Sequence, residues 1–359
     1  MSQPSIPQEV IFDLPSTLID HRTYEYRSAP VTGNVAYTSE SATIQFTLPR
    51  LDRSFWQTNT IYIRGRLALT LIGTAAGTDL SAPNISFTSA GAYALFNRQT
   101  VRTGNGGVLE TIQNPGLVTN IQMGYGLTAA ERVGMGAMTK CVPNSADNGA
   151  LTTSAGWGMA TTVVGHNATC DFVLPLNSIL TNAEKFLPAG FDEFTIELII
   201  GSILSAASAQ NPSFIIHKDT FGISAFSLSD LEISAQVFEL EPASYAQLMA
   251  QHPQGITLKS QTYAYGSGSL AASAGAGTYD IVYPHKLQSI KQFLMAVAPS
   301  NAIEGPLYAG VNPNLTGFSL SINGITYPQR PITSQCCHMS KHQWSGSISS
   351  WWRSESWWL

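Results

Sequence analysis

From residue 61 to residue 71 the apolar side chains fall on alternate positions. Ile61, Ile63, Leu67, Leu69 and Leu71 share one parity, and Tyr62, Arg64, Arg66 and Thr70 share the other. A period of two is that of a strand with one face buried and one face wet. The alternation recurs in Ala42, Ile44, Phe46 and Leu48, in Phe172, Leu174 and Leu176, and in Phe194, Ile196, Leu198 and Ile200. A chain patterned this way must pair its strands and cover one face of each sheet, so the spacing predicts an all-β sandwich.

One segment breaks its own rhythm. In FSLSDLEISAQVFELE, Phe226 and Leu228 share a parity, while Leu231, Ile233, Ala235 and Val237 share the opposite one. One extra residue in a strand exchanges its faces, so a β-bulge is expected between Leu228 and Leu231. Asn-Gly pairs in RTGNGGV (102–108) and SINGIT (321–326) tolerate positive φ and predict tight hairpins. Helical signals are few. PASYAQLMAQ (242–251) opens on Pro242 and is followed by Pro253 and Gly255; LTAAERVGMG (127–136) is a weaker candidate. Ala/Ser/Thr/Gly-rich stretches at 72–82 and 143–162 read as loops at the ends of the sheets. Roughly eight strands are expected up to residue 240. After the helix the pattern restarts in ITLKSQTYAY, YDIVYPHKLQSIKQFLMAV and GFSLSINGITYPQ, which predicts a second β unit of similar kind.

Only 11% of the 359 residues are charged, less than half of the roughly 25% usual for soluble domains. Such a surface suits broad protein–protein contacts. The net charge of −5, and the lack of Lys or Arg in residues 1–20, argue against direct nucleic-acid binding, which needs clustered cations. Pro4, Pro7 and Pro15 interrupt the first apolar residues, so no signal peptide is expected. No run of 18 apolar residues exists, so no membrane-spanning helix is expected. Cys141, Cys170, Cys336 and Cys337 do not have the spacing of a disulfide framework and read as buried free thiols in a reducing compartment.

No catalytic, cofactor-binding or metal-ligating residue is assigned, and no cofactor is expected; the chain does not read as an enzyme. His21, His166, His217, His252, His285, His338 and His342 are scattered, and no G-x-S-x-G elbow marks a nucleophile. The glycines of TGNGG lack the Lys-Ser/Thr of a phosphate loop. Asp192 and Glu193, read as strand residues, point to opposite faces and cannot act as a pair. CCHMSKH, with Cys336, Cys337, His338 and His342, has no second ligand pair for zinc. N-x-S/T triplets at Asn84, Asn167 and Asn314 are chance occurrences in a Ser/Thr-rich chain.

Several stretches, taken in order, carry a resemblance. They are FDLPSTLIDHRTYEYR, which looks like an opening strand region, RLDRSFWQTNTIYIRGRLALT, ALFNRQTVRTGNGGVLETIQNPGLVTN with its acidic Glu110, and LPLNSILTNAEKFLPAG with Lys185, Phe186 and Pro188. FSLSDLEISAQVFELEPASY, YPHKLQSIKQFLMAVAP and NGITYPQRPI follow. Over about residues 10–333 the chain resembles the double jelly-roll major capsid proteins of icosahedral DNA viruses, particularly those of polinton-like viruses, virophages and nucleocytoplasmic large DNA viruses. The resemblance implies an all-β double jelly-roll, the first jelly roll complete and the second incomplete. Its expected parts are an N-terminal arm (1–29), a first jelly roll (30–241), a helical connector (242–254), the start of a second jelly roll (255–333) and an aberrant, disordered tail (334–359).

That tail ends in WWRSESWWL, holds five of the seven tryptophans and lacks period-two alternation, so it reads as out-of-frame sequence after a truncated second sandwich. The rival reading puts its tryptophans in a bilayer interface. The resemblance further implies a viral structural protein located in the virion and assembled in the host cytoplasm or nucleus. It would form homotrimeric, pseudo-hexagonal capsomers of an icosahedral capsid. The implied partners are further copies of the chain, minor capsid or penton proteins and an internal virion membrane. A chain with an incomplete second sandwich is expected not to assemble by itself. Two other classes compete with this reading. One is a carbohydrate-binding or adhesin module reading glycans through Tyr93 or Trp157. The other is a sandwich-fold glycosidase, for which the sequence offers no carboxylate pair.

Overall fold

A computed structural model of the chain describes residues 21–73, 85–88, 90–119, 128–140, 160–162, 167–206, 213–216, 221–253, 255–265, 317–322 and 324–333, with the single positions 280, 282 and 290. The strands in chain order are β1 (His21–Ser28), β2 (Ala36–Tyr37), β3 (Thr43–Leu48), β4 (Ser54–Trp56), β5 (Tyr62–Gly73), β6 (Ile85–Phe87), β7 (Phe96–Thr103) and β8 (Val108–Gln113). They continue with β9 (Ala160–Thr162), β10 (Asn167–Pro175), β11 (Leu187–Pro188), β12 (Phe194–Ile200), β13 (Phe214–Ile216), β14 (Phe221–Leu240), β15 (Gly317–Ile322) and β16 (Ile325–Thr333). Helix α1 spans Ala129–Thr139 and helix α2 spans Pro242–Gln251.

Two sheets face each other. The first runs β11-β4-β14-β5-β10-β9, with β1 and β2 on the other side of β14; the second runs β3-β12-β7-β8. The antiparallel pairings are nested: β1 with β14, β3 with β12, β5 with β10, and β7 with β8. The chain is therefore one long hairpin, its tip at β7–β8, rolled so that successive strands alternate between the sheets. That is the strand order of an eight-stranded jelly roll, and the all-β reading holds.

The alternation explains the core. Ile44, Phe46 and Leu48 of β3, Ile63, Leu67 and Leu69 of β5, Ile196, Leu198 and Ile200 of β12, and Phe172 and Leu174 of β10 all lie in one buried cluster between the sheets. The bulge falls where the parity changes: β14 shifts register against β5 between Ser229 and Glu232, and Asp230 takes φ 50. Leu228 before it and Ile233 after it both reach the core. Gly65 makes the bulge possible. A Cβ there would meet Leu231 Cδ2 at 2.6 Å and Phe172 Cζ at 2.9 Å, so the missing side chain is the space those two occupy. Both Asn-Gly turns are hairpins: Gly106 (φ 83) turns β7 into β8, and Gly324 (φ 82) turns β15 into β16.

Three expectations need correction. Residues 21–28, placed in the N-terminal arm, form β1 and pair with β14 along Ile233–Leu240. Their apolar members are Tyr24 and Tyr26, which pack against the core from a strand otherwise rich in charge. The end-loop stretches 72–82 and 143–162 contain the end of β5 and the whole of β9. Asp192 and Glu193 stand in the turn before β12, where Asp192 Oδ1 accepts from the Gly104 N–H (3.3 Å) and the Glu193 N–H (2.8 Å). The tail 334–359 lies outside the described residues.

Candidate functional site

The outer face of the first sheet carries a second, smaller core. Phe55 and Trp56 are neighbours on β4, and their side chains point to opposite faces. Trp56 enters the large core; Phe55 joins Phe186, Phe238, Leu240 and Leu248 in the small one. Helix α2, which starts at Pro242 directly after β14, supplies Leu248, and Tyr245, Ile256 and Leu258 pack at its margin. Of the Lys-aromatic-x-Pro group, Phe186 is buried edge-on against Phe238 (6.2 Å between ring centroids), Pro188 pairs with Phe55 in β11, and Lys185 is half-buried.

Past α2 the chain returns along the sandwich as an extended strap, residues 255–265. The strap is tied to the loop between β10 and β11. Glu184 N–H donates to the Lys259 carbonyl (3.1 Å), and the Ser260 hydroxyl donates to the Ile179 carbonyl. Asn182 Nδ2 donates to the Gln261 carbonyl (3.4 Å) and to the Tyr263 hydroxyl (3.1 Å). Further on, Asn114 Nδ2 donates to the Tyr265 hydroxyl (3.4 Å).

At the centre of this seam is Glu110. It lies opposite Val101 on the inward face of β8, and is 3% exposed. Its Oε1 accepts from the Thr262 hydroxyl (2.7 Å) and the Tyr263 N–H (3.3 Å); its Oε2 accepts from the Ile179 N–H (2.8 Å). One carboxyl group thus binds strap, loop and sandwich together. Burial, the largest influence, pushes its pKa up from the ordinary value; the bonds from Thr262, Ile179 and Tyr263 pull the other way. Gln99, also on the inward side, supports the same loop by donating to the Asn177 carbonyl (2.7 Å). Sequence alone pointed to Glu110 only through the resemblance.

Beside the seam a cleft of about 380 Å³ is lined by His21, Thr23, Gln57, Asn59, Glu184 and Phe186, among others. The His21 ring stacks on Phe238 at 4.6 Å. The rest of that sheet face is charged and balanced: Glu232 meets Arg64 (2.6 Å) and Arg27 (3.7 Å), and Arg66 meets Asp171 (3.8 Å).

Tyr93 does not read glycans. Tyr93 is 5% exposed, and its hydroxyl donates to the Pro175 carbonyl at 2.5 Å, so neither face nor tip is presented to a ligand. Trp157 and the CCHMSKH stretch lie outside the described residues. Among the described residues no group of His, Cys, Asp or Glu is arranged to hold a metal, and no helix is long and apolar enough to cross a membrane.

No protein-family model matches the chain, and no curated protein matches it. Solved structures do. PBCV-1 VP54, fitted into a reconstruction of the virophage Sputnik, is 12% identical over 65% of this chain and 46% of that one, with a TM-score of 0.39. The Faustovirus major capsid protein is 11% identical over 67% of this chain and 58% of that one, TM-score 0.39. The mavirus major capsid protein is 13% identical over 67% and 52%, TM-score 0.38. The matches span about half the length of these structures. The fold assignment rests on strand order and register, not on these likenesses.

Proposed function

We propose that the chain is a structural protein of an icosahedral DNA virus, a major capsid protein of the double jelly-roll kind. The observation that carries the reading is the path of the chain at the seam. A jelly roll with nested pairing hands its last strand to a ten-residue helix, and a strap bound to the same sandwich leads on towards a further β-hairpin, β15–β16. One β sandwich delivering its chain to a second β unit is the layout that the ordered sequence resemblance implies. The division 30–241, 242–254 and 255–333 belongs to this reading, with 21–28 moved into the first sandwich. Low charge suits a subunit whose flanks are covered by neighbours. In this reading three copies stand side by side as a pseudo-hexagonal capsomer, and the partners are other copies and minor capsid proteins of the virion.

Fold alone does not assign function, so the test is made on particles. Mass spectrometry of icosahedral particles purified from cells that carry the gene is expected to find peptides of residues 21–240 among the dominant shell proteins, with immunogold label on the shell. Peptides confined to the soluble fraction, together with glycan-array binding by the chain, would replace this reading with the carbohydrate-binding one.

A further inference from the structure

Glu110 is an unusual closing element. It is the only carboxyl group among the described residues that bonds both the strap and the β10–β11 loop, and its bonds reach 69 and 152 residues ahead in the chain. We propose that it is a proton-operated catch: with its carboxyl group neutral the strap is fastened to the sandwich, and ionisation loosens it.

The argument is geometric. Glu110 is 3% exposed on the inward face of β8, and its three bonds all come from neutral donors. Arg98 and Arg102 of β7 have the opposite parity to Val101, the inward residue that pairs with Glu110. Arg102 is engaged with Glu197 at 3.1 Å. On the loop, Glu184 is exposed and Lys185 is half-buried; on the strap, Lys259 is exposed. Tyr263 meets Glu110 through its backbone, its hydroxyl being turned to Asn182. Tyr265 bonds to Asn114. No histidine lies in 96–113, 176–188 or 255–265, and the one other carboxyl side chain of these segments, Glu184, is exposed, so Glu110 is their one buried titratable carboxyl group. A neutral acid can keep all its partners, since the Thr262 hydroxyl turns from donor to acceptor. A carboxylate here is a buried charge, and lifting the strap, most of whose residues are already exposed, hydrates it.

The sign follows from burial having raised the pKa of the closed state above the ordinary 4.5. The stabilisation is full below about 4.5 and is lost as pH rises through the closed-state value. Hydrogen–deuterium exchange of residues 255–265 in the full chain, corrected for the intrinsic pH dependence, reads it directly. Protection is expected to fall about tenfold per pH unit above 4.5 and then level off. E110Q removes the pH dependence. T262V, an exposed strap position whose bond lowers the pKa, moves the levelling point to higher pH without touching the sandwich core. A pH-independent strap in the unaltered chain overturns the catch, and so does an unmoved levelling point in T262V. If E110Q does not fold, T262V alone decides.

Discussion

A methyl group at position 65 has nowhere to go. Its two contacts, Leu231 and Phe172, are buried side chains on the neighbouring strands β14 and β10, and both fill the layer between the sheets. G65A is expected to destabilise the chain by about 1–3 kcal/mol in chemical denaturation, the usual cost of overpacking. A loss under about 0.5 kcal/mol would mean that Leu231 swings aside freely. Cys170 makes a second residue-scale case. It is buried, with a thiol pushed up to about 11 mainly by burial. The thiolate is the reactive form, so Cys170 should resist alkylation at pH 8 in the native chain and react once denaturant is added, as peptide mapping would show. The sequence reading of buried free thiols holds for Cys170, whereas neither the space at Gly65 nor the role of Glu110 was conveyed. Gly65 interrupts an otherwise regular strand with no sign that an opposing bulge needs its space. Glu110 reads like any acid in VLETIQ, because the donors that define it arrive from residues 179, 262 and 263.

At the scale of the element, β14 is the informative one. Twenty residues cannot keep one face in the core without interruption against a strand of twelve, and the bulge resets the register at Asp230. Its left-handed backbone (φ 50) is one that Asp accepts and a β-branched residue does not. D230V should therefore cost about 1–2 kcal/mol, whereas D230G should change stability by about 0.5 kcal/mol or less. Both are measurable by thermal unfolding, and an equal loss in the two variants would remove the backbone from the explanation. This bulge was legible beforehand, since a change of parity is a purely local signal. So was α2, bounded by Pro242 and Gly255, and so was α1, whose Thr128 and Glu131 form a reciprocal capping box. Strand β1 was legible only through the resemblance of FDLPSTLIDHRTYEYR to an opening strand region, and not from its own pattern. Its sequence, HRTYEYRS, alternates only through two tyrosines, and its place is fixed by the long partner β14 more than two hundred residues later.

At the scale of the molecule the first sheet serves two cores at once, and the two differ in how firmly they hold. Inside, the cluster between the sheets draws on both sheets and on strands from β2 to β14. Outside, Phe55, Phe186, Phe238, Leu240 and Leu248 are covered, among the described residues, by α2, the start of the strap, the loop before β11 and the His21 ring of β1. Most of that cover is exposed on its far side, so it should open without the sandwich unfolding. Leu248 is the deepest helical member of the outer core, fully buried, and L248A leaves a cavity worth about 2–5 kcal/mol. The prediction is that this loss appears locally. Native-state hydrogen exchange should show residues 242–265 opening far more readily, while amides of β5, β7 and β12 keep their protection. A uniform loss across all strands would instead make the two cores one cooperative unit. If the loss is local, the passage from the first sandwich to the rest of the chain is a separately stable hinge cover, and Glu110 acts on that cover and not on the sandwich. A chain built this way can loosen α2 and the start of the strap while its jelly roll stays closed, because the outer cluster that holds them is separate from the one between the sheets.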